Sequence, residues 1–232
     1  MLTAAAGMVN ALAFLATERF VSHVTGTATQ LGMSVASFWL GLDVAFVIGS
    51  FVLGAMSASY VIDVRGHAGK RPLYALPLFV TAALVGGAGV AGTRGAFGPF
   101  GGGADSPADF AFLIVLAFAM GLQNGAVATS TGMVVRTTHL TGPATDLGLS
   151  LAELLFGPTE RHAHARRHAL LRAAKLVAFV SGAALAVPCA RAWSYAALLV
   201  PAAAIALANA LSFVDLRALG RAPHLRFSTR RA

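Results

Sequence analysis

Charged side chains are scarce in this chain of 232 residues: they make up 11% of it, whereas an ordinary soluble domain has about a quarter. Acidic residues are the rarest of them, with 9 Asp and Glu against 17 Lys and Arg. A soluble domain with a charged surface is therefore excluded. Hydrophobic residues make up 57% of the chain, which indicates a membrane protein.

Cysteine and the common catalytic motifs are also missing or nearly so. Cys189 is the single cysteine of the sequence, so neither a disulfide framework nor a thiol metal site can form within one chain. No P-loop, dinucleotide-binding fingerprint, zinc-protease motif or nucleophile elbow occurs. We therefore expect no enzyme activity, no cofactor and no metal site.

The formal net charge of +8 could point to nucleic acid, but the position of the basic residues favours lipid. Most Lys and Arg residues fall at 65–71, 161–172 and 217–231, beside the ends of apolar stretches. Basic residues in such places orient a membrane protein and contact anionic lipid headgroups. We therefore expect the lipid bilayer, and no nucleic acid, as a partner.

Six apolar stretches are close to the length of about 20 residues that a membrane crossing requires. They are rich in Ala, Leu, Gly and Phe, and they lack the strict alternation of an outer-membrane barrel. The predicted fold class is therefore an all-α membrane protein with six transmembrane helices. The stretches are 2–17, 38–62, 72–92, 108–127, 175–189 and 195–213.

One phrase occurs twice, as HVTGTATQLGMSVA at 23–36 and HLTGPATDLGLSLA at 139–152, with nine of fourteen positions identical. A Gly-x-x-Asn pattern precedes each copy and ends at Asn10 and at Asn124. An internal repeat in a membrane protein indicates two halves around a shared site. Thr-Gly before an apolar run predicts that each copy starts a short helix capped by Thr. Such a helix start, placed inside the membrane, could hold an anion, a carbonyl group or a file of water.

Charge also predicts the topology. With six crossings, fourteen Lys and Arg residues lie on one side of the membrane and three on the other, so both termini are predicted to be cytoplasmic. Three crossings per half make the halves an inverted repeat, each with a short re-entrant or interfacial helix, although full spanning by the repeated segments stays open. The predicted parts are a first three-helix half 1–92, an outer loop 93–107, a second half 108–215 and a basic tail 216–232.

Polar residues near the repeated phrase are the candidate solute path. His23 and His139 could carry protons or contact a solute, or could instead satisfy a loop carbonyl. Amides within crossing helices either join helices or contact substrate, and Arg136 could bind an anion or anchor the chain at the cytoplasmic surface. Asp146 and Glu153 share one face of the second short helix and could bind a cation or relay protons. The candidates are Asn10, His23, Thr25, Gly26, Gln123, Asn124, Arg136, His139, Thr141, Gly142 and Asp146.

The segments GMVNALAFLATERFVSHVTGTATQLG at 7–32 and GLQNGAVATSTGMVVRTTHLTGPATDLG at 121–148 resemble the two signature regions of the bacterial YoaK family. The resemblance covers nearly the whole chain and implies a multi-pass protein of the inner membrane without an established reaction. The family pattern commonly has Asp where this chain has Asn10, and Asn where it has Thr27.

Three functions follow as hypotheses. The first is a small transporter or channel-like permease of the bacterial cytoplasmic membrane for an unidentified solute or ion, with a homo-oligomer as one possible assembly. The alternative is a non-transporting scaffold that binds partners through its basic loops and tail. A third, an enzyme acting on lipid, would depend on Arg136, His139, Asp146 and Glu153, which match no known motif.

Overall fold

A computed structural model describes residues 1–34, 37–104, 106–131 and 136–219 of the chain, with side chains as far as Ser212. All regular structure in these ranges is helical, including a π-helical turn at Tyr60–Val64 and 3-10 turns at Thr159–Arg161 and Ser194–Leu198. The predicted all-α class is confirmed for this part of the chain. The α-helices are α1 (Leu2–Thr17), α2 (Val24–Met33), α3 (Phe38–Ser59), α4 (Arg65–His67), α5 (Ala75–Thr93), α6 (Pro107–Ser130), α7 (Thr141–Phe156), α8 (His162–Trp193) and α9 (Leu199–Leu219).

Among the described residues, four apolar helical runs are long enough to cross a membrane: Phe38–His67, Ala75–Thr93, Pro107–Ser130 and Thr159–Ser212. The last run is divided into α8 and α9 at Ser194, whose φ of 47° interrupts the α-helix. Helix α1, with 16 residues, is shorter and also apolar. Since a crossing takes about 20 residues, these helices are compatible with a membrane protein.

Helix α6 lies at the centre of the fold. Of its most apolar window 56% is buried inside the protein, against 39% for α5 and 17% for α3. Phe112 and Leu116 of α6 are fully buried and join Leu12 of α1 in one hydrophobic core. A capping box starts α6: Ser106 Oγ accepts the backbone N–H of Asp109, and the Asp109 carboxylate accepts the backbone N–H of Ser106. This well-anchored helix carries Asn124 to the site described below.

The two most extensive helix contacts join α1 to α8 and α3 to α6. Gly7 of α1 lies against the backbone carbonyl of Phe179 in α8, and Gly121 of α6 lies against that of Phe51 in α3. A Cβ atom at either glycine would overlap the carbonyl oxygen, so glycine is what allows these backbones to approach so closely. Both contacts lie at the level of the candidate site and bring its walls together.

The two short helices begin differently from the sequence-based expectation. The N-cap residues are His23 for α2 and Leu140 for α7, so the Thr-Gly pair of each copy lies within the first turn. The predicted Thr cap is therefore wrong, and within the described residues neither N-cap side chain makes a capping hydrogen bond. The physical reason is that asparagines of α1 and α6 hold the chain just upstream and determine where each helix starts.

The basic stretch 161–172, expected to be a loop, is largely helical because α8 already begins at His162. Ala and Leu between the arginines favour a helix. Two contacts hold this part of α8 against the second copy of the phrase: Arg172 pairs with Asp146 at 3.2 Å, and Lys175 Nζ donates to the carbonyl oxygen of His139 at 2.7 Å. The predicted basic tail 216–232 lies outside the described residues from position 220 onward.

Candidate functional site

A cavity of about 490 Å³ lies between the starts of α2 and α7, with walls from α1, α3, α6 and α8. Its described lining takes seven residues from positions 10–51 and seven from positions 124–179. The sequence recurrences of the chain align these residues in pairs. The pairs are Asn10 and Asn124, Phe20 and Arg136, Ser22 and Thr138, His23 and His139, Val24 and Leu140, Thr25 and Thr141, and Phe51 and Phe179.

The asparagine pair anchors the two segments that enter the cavity. Asn10 Oδ1 accepts the backbone N–H of Ser22 at 3.1 Å and its hydroxyl at 2.9 Å. Asn124 Oδ1 accepts the backbone N–H of Thr138 at 3.3 Å and the hydroxyl of Thr137 at 3.4 Å. Because only the oxygen of an amide can accept these N–H groups, each Nδ2 is the remaining polar group of its side chain.

Each histidine packs against the first turn of its own short helix. A Cβ atom at Gly26 would lie 2.7 Å from His23 Nδ1, and one at Gly142 would lie 2.9 Å from His139 Nε2. Glycine therefore leaves the space that each imidazole ring occupies. This arrangement places one imidazole ring at each helix start along the cavity wall, where it can contact a bound solute.

The two halves of the cavity lining differ in chemistry at the pair Phe20 and Arg136. Phe20 stacks on Phe14 with ring centroids 4.5 Å apart and meets His23 edge-on at 5.7 Å. Arg136, which also lines the cavity, is exposed. Lys175 Nζ donates to the carbonyl oxygen of His139, another lining residue. The lining thus combines an aromatic side chain with a cationic one at this pair.

A second cavity of about 400 Å³ adjoins the first and shares Phe51, Asn124 and Arg136 with it. It runs between α3 and α6 as far as Asp63, whose carboxylate accepts the Ser59 hydroxyl at 3.2 Å. Asp63 belongs to the π-helical turn at the end of α3, and such turns are frequent at functional sites. The two cavities thus share three lining residues, and the second, whose lining is mostly apolar, extends to Asp63.

Seven of the predicted site residues line the main cavity, and four do not. Gly26 and Gly142 lie behind the histidines. Gln123 is fully buried and donates at 3.1 Å to the Leu2 carbonyl and at 3.1 Å to the Thr137 hydroxyl. Asp146 pairs with Arg172 on α8, so the predicted acidic face of α7 is neutralised at that point.

Glu153, the second acidic residue of that face, lies 3.8 Å from Arg161. A cation site on α7 therefore has little support, since each carboxylate already faces an arginine. In the described part of the chain, no group of three or more His, Cys, Asp or Glu residues is arranged to hold a metal ion.

Sequence reasoning missed the aromatic walls and the residues next to the histidines. Phe51 and Phe179 each begin a Phe-Val-x-Gly pattern, FVLG at 51–54 and FVSG at 179–182, and this recurrence is a signal that could have found them. Ser22 and Thr138 directly precede the two histidines. Their role depends on hydrogen bonds to asparagines of other segments, which no local pattern indicates.

The fold and the cavity define a class: a helical protein whose long apolar helices are compatible with a membrane and whose two short helices begin at a shared polar cavity. The chain belongs to the family described as "Protein of unknown function (DUF1275)", whose model matches residues 1–211. No curated protein and no solved structure matches the chain. Membership of a family of unknown function is thus confirmed, whereas the YoaK name itself stays a prediction.

Proposed function

We propose that the protein is a small permease of the bacterial cytoplasmic membrane that binds its solute in the cavity between α2 and α7. One observation carries the proposal: two histidines, two asparagines and an arginine surround about 490 Å³ of space among apolar helices. Polar and ionisable groups at membrane depth are costly, and they usually mark a substrate or ion pathway. Their concentration at one cavity therefore favours solute binding there.

Exposed apolar side chains on α3 and α8 support a lipid-facing surface. Trp39 and Phe46 of α3, and Val177, Leu185 and Trp193 of α8, are each more than half exposed. A soluble protein would bury most of such a surface, and aromatic residues near helix ends are typical of the membrane interface. We therefore assign these faces of α3 and α8 to contact with lipid.

The proposed topology has six crossings, α1, α3 and α5 in the first half and α6, α8 and α9 in the second, with both termini cytoplasmic. Since each half has an odd number of crossings, the halves are inverted. In such an arrangement α1 corresponds to α6 and α3 to α8, so the contact of α1 with α8 has its counterpart in that of α6 with α3.

Matching contacts of four glycines support that correspondence. Gly7 meets the carbonyl of Phe179 while Gly121 meets that of Phe51. Three residues after each of these phenylalanines, Gly182 meets the carbonyl of Ala4 and Gly54 that of Phe118. If each half of the chain is replaced by the other, the contact of α1 with α8 becomes the contact of α6 with α3, and the four glycines match one another.

The short helices suggest how the cavity would open to either side. α2 contacts mainly α3, and α7 contacts mainly α8, while every residue of both short helices is exposed or half-buried. Each short helix therefore packs mainly on a crossing helix of its own half and would move with it. Rocking of one such unit against the other would expose the cavity alternately to the two faces of the membrane.

The test is a flux measurement on the full chain in proteoliposomes with benzoate, acetate, glycerol and methylammonium as solutes. We expect at least one solute to enter faster than into protein-free liposomes. Gly142→Ala should slow this entry several-fold, because the added methyl group displaces the His139 ring. Gly148→Ala is the matched control on the same helix, since no described atom lies within 4 Å of its Cβ position.

The same comparison is available in the first copy, with Gly26→Ala as the variant and Gly32→Ala, again without a described neighbour within 4 Å, as the control. Equal rates for Gly142→Ala and Gly148→Ala would remove the cavity from the proposal, and a complete absence of flux would remove the permease.

The alternative of a non-transporting scaffold keeps one specific observation in its favour. Arg166 and Arg167 are exposed near the start of α8, where a helix presents its basic face to lipid headgroups or to an acidic partner. A scaffold predicts that Arg166→Gln with Arg167→Gln abolishes the cellular phenotype, while Gly142→Ala leaves it intact. A permease predicts the reverse.

A further inference from the structure

The lining of the main cavity favours negative charge. None of its described lining residues is acidic, and Arg136 stands on its wall. Within the described chain, Arg136 makes no ion pair, whereas Arg172 and Arg161 each have a carboxylate partner. Lys175 adds a second cation behind His139. A positively charged solute would meet this field without a carboxylate among the described lining residues of this cavity, and Asp63 lines only the adjoining one.

Two helix starts strengthen the same preference. α2 and α7 both begin at the cavity, and within the described residues neither has a side chain that caps its free backbone N–H groups. α6, in contrast, begins with a complete capping box at Ser106. Uncapped N–H groups and the positive end of the helix dipole are suited to an anion.

The asparagines are the second, independent sign of a ligand. Asn10 is 7% exposed and Asn124 is 9% exposed, so both side chains are more than nine-tenths buried. Their oxygens are occupied by Ser22 and Thr138, and within the described residues no acceptor lies at either Nδ2. Both residues line the cavity, so each Nδ2 has an N–H donor for whatever occupies it.

The remaining walls are apolar. Phe51 of α3, Phe179 of α8 and Phe20 all line the cavity. A volume of about 490 Å³ falls within the range of pockets that hold small organic ligands. A single inorganic ion would fill only a small part of this space and would leave the aromatic surface wet.

We propose that the cavity selects a small organic anion that joins one carboxylate to an apolar ring or chain. The carboxylate accepts hydrogen bonds from Arg136, from the first turn of α7 and from the asparagine amides. The apolar part lies between Phe51 and Phe179, toward Phe20. This inference rests on the proposed solute site, and it adds the chemical class of the solute to it.

Binding is tested on the full chain in nanodiscs of neutral lipid, by calorimetry at pH 7. The probes are benzoate, its neutral analogue benzamide, the cation benzylamine, and acetate, which has the charge but not the ring. We expect benzoate to bind about ten-fold or more tightly than benzamide, the range of a charge-assisted hydrogen bond. Benzylamine should bind the least, and acetate more weakly than benzoate because it leaves the aromatic walls uncovered.

Two variants test how Arg136 and Phe20 contribute to the preference for benzoate. Arg136→Gln should lower benzoate affinity about ten-fold or more and leave benzamide unchanged. Phe20→Ala should weaken benzoate but not acetate. Arg94→Gln removes an exposed arginine of the loop after α5, away from the cavity, and should bind like the unchanged protein. Arg136→Lys keeps the charge without the planar guanidinium, so its affinity for benzoate should lie between that of the unchanged protein and that of Arg136→Gln. This variant keeps the test decisive if Arg136→Gln does not fold.

Decanoate distinguishes the two sources of such an anion. A preference for decanoate over benzoate assigns the cavity to fatty acids that enter from the bilayer, and the opposite preference assigns it to soluble carboxylates. With either result, the proposed ligand of the cavity is still a carboxylate anion. Benzamide or benzylamine binding as tightly as benzoate would overturn the inference.

Failure of this inference is distinguishable from failure of the permease. If benzoate does not bind but glycerol or methylammonium flux depends on Gly142, the permease stands and the anion is wrong. If benzoate binds with the predicted dependence on Arg136 but no solute crosses, the site stands and the permease is wrong.

Discussion

Asn10 and Asn124 combine two roles that a single amide can hold at once. Each oxygen secures the chain before a short helix, and each nitrogen stays available to the cavity. The oxygen's partners are backbone N–H groups buried among helices, and a buried N–H without an acceptor costs about 1–3 kcal/mol. Structural and binding contributions of these residues can therefore be separated by choice of substitution.

The substitutions Asn10→Asp and Asn10→Leu separate the structural contribution of this residue from its contribution to binding. Asn10→Asp keeps an oxygen for Ser22 but brings a negative charge to a cavity whose described lining has no acid, so the protein should fold and bind benzoate at least several-fold more weakly at pH 7. Asn10→Leu leaves the Ser22 N–H unpaired and should lower the free energy of unfolding by about 1–3 kcal/mol. Calorimetry and thermal melts in detergent measure the two effects.

The unchanged protein and Asn10→Asp should melt at similar temperatures, since an aspartate oxygen can still accept the Ser22 N–H and hydroxyl. If Asn10→Leu melted at the same temperature as the unchanged protein, the anchoring role of Asn10 would be contradicted. If Asn10→Asp bound benzoate with unchanged affinity, the preference of the cavity for anions would be contradicted.

At the scale of helices, close packing of α3 with α6 depends on glycine at a defined point. Gly121→Ala places a methyl group on the backbone carbonyl of Phe51 and pushes α3 away from α6. Overpacking of this kind costs about 1–3 kcal/mol, so the melting temperature in detergent should fall. The cavity wall formed by Phe51 should move as well, and solute affinity should fall with it.

Gly49→Ala is the control for that substitution. Gly49 lies in α3, the helix against which Gly121 packs, but apart from the nearby backbone of its own helix no described atom is within 4 Å of its Cβ position. Alanine favours a helix over glycine by about 1 kcal/mol, so this variant should melt at the same temperature or slightly higher. Equal destabilisation by both substitutions would contradict the packing explanation, because only Gly121 lies against a backbone carbonyl.

The helix starts illustrate how tertiary contacts act on a local pattern. Thr-Gly predicts a helix start to within a residue or two, and α2 and α7 do begin there. The hydroxyls do not cap the helices, however, because the upstream residues are held by asparagines of other helices. In the same way, the basic stretch predicted as a loop is helical where Arg172 and Lys175 meet α7 and the chain before it.

For the molecule as a whole, the proposed topology makes a prediction about which side each loop faces. Lys70 follows α4 and Arg94 follows α5, and both are exposed. With Cys189 replaced by Ser, a single cysteine at position 94 should react with a membrane-impermeant maleimide in intact cells. A single cysteine at position 70 should react only after permeabilisation, because basic loops stay in the cytoplasm.

Labelling of position 70 but not of position 94 in intact cells would mean that the protein has the opposite orientation. Labelling of both positions would mean that the two loops lie on the same side and are not separated by a single crossing. Only the second result would remove the basis of the inverted arrangement, which depends on an odd number of crossings in each half. The proposed solute site would be unaffected, since the geometry of the cavity does not depend on which face of the membrane is cytoplasmic.

The sequence by itself determined the helical class, the apolar helices and the place to look for a site. These are local properties: hydrophobic length, composition and a repeated phrase are read within a few dozen residues. The bounds of α1 coincide with the first apolar stretch, 2–17. His23 and His139 belong to the cavity because the phrase that contains them starts the two short helices.

Only the tertiary structure decided which residues surround the cavity and what chemistry they bring. Phe51 and Phe179, the free amide nitrogens and the contrast of Phe20 with Arg136 result from packing between segments far apart in the chain. Gln123, which the sequence placed on the path, instead joins the Leu2 carbonyl across 121 positions. Whether a polar residue of a helix faces a cavity or another helix depends on packing between helices, and such contacts are not encoded in any single stretch of sequence.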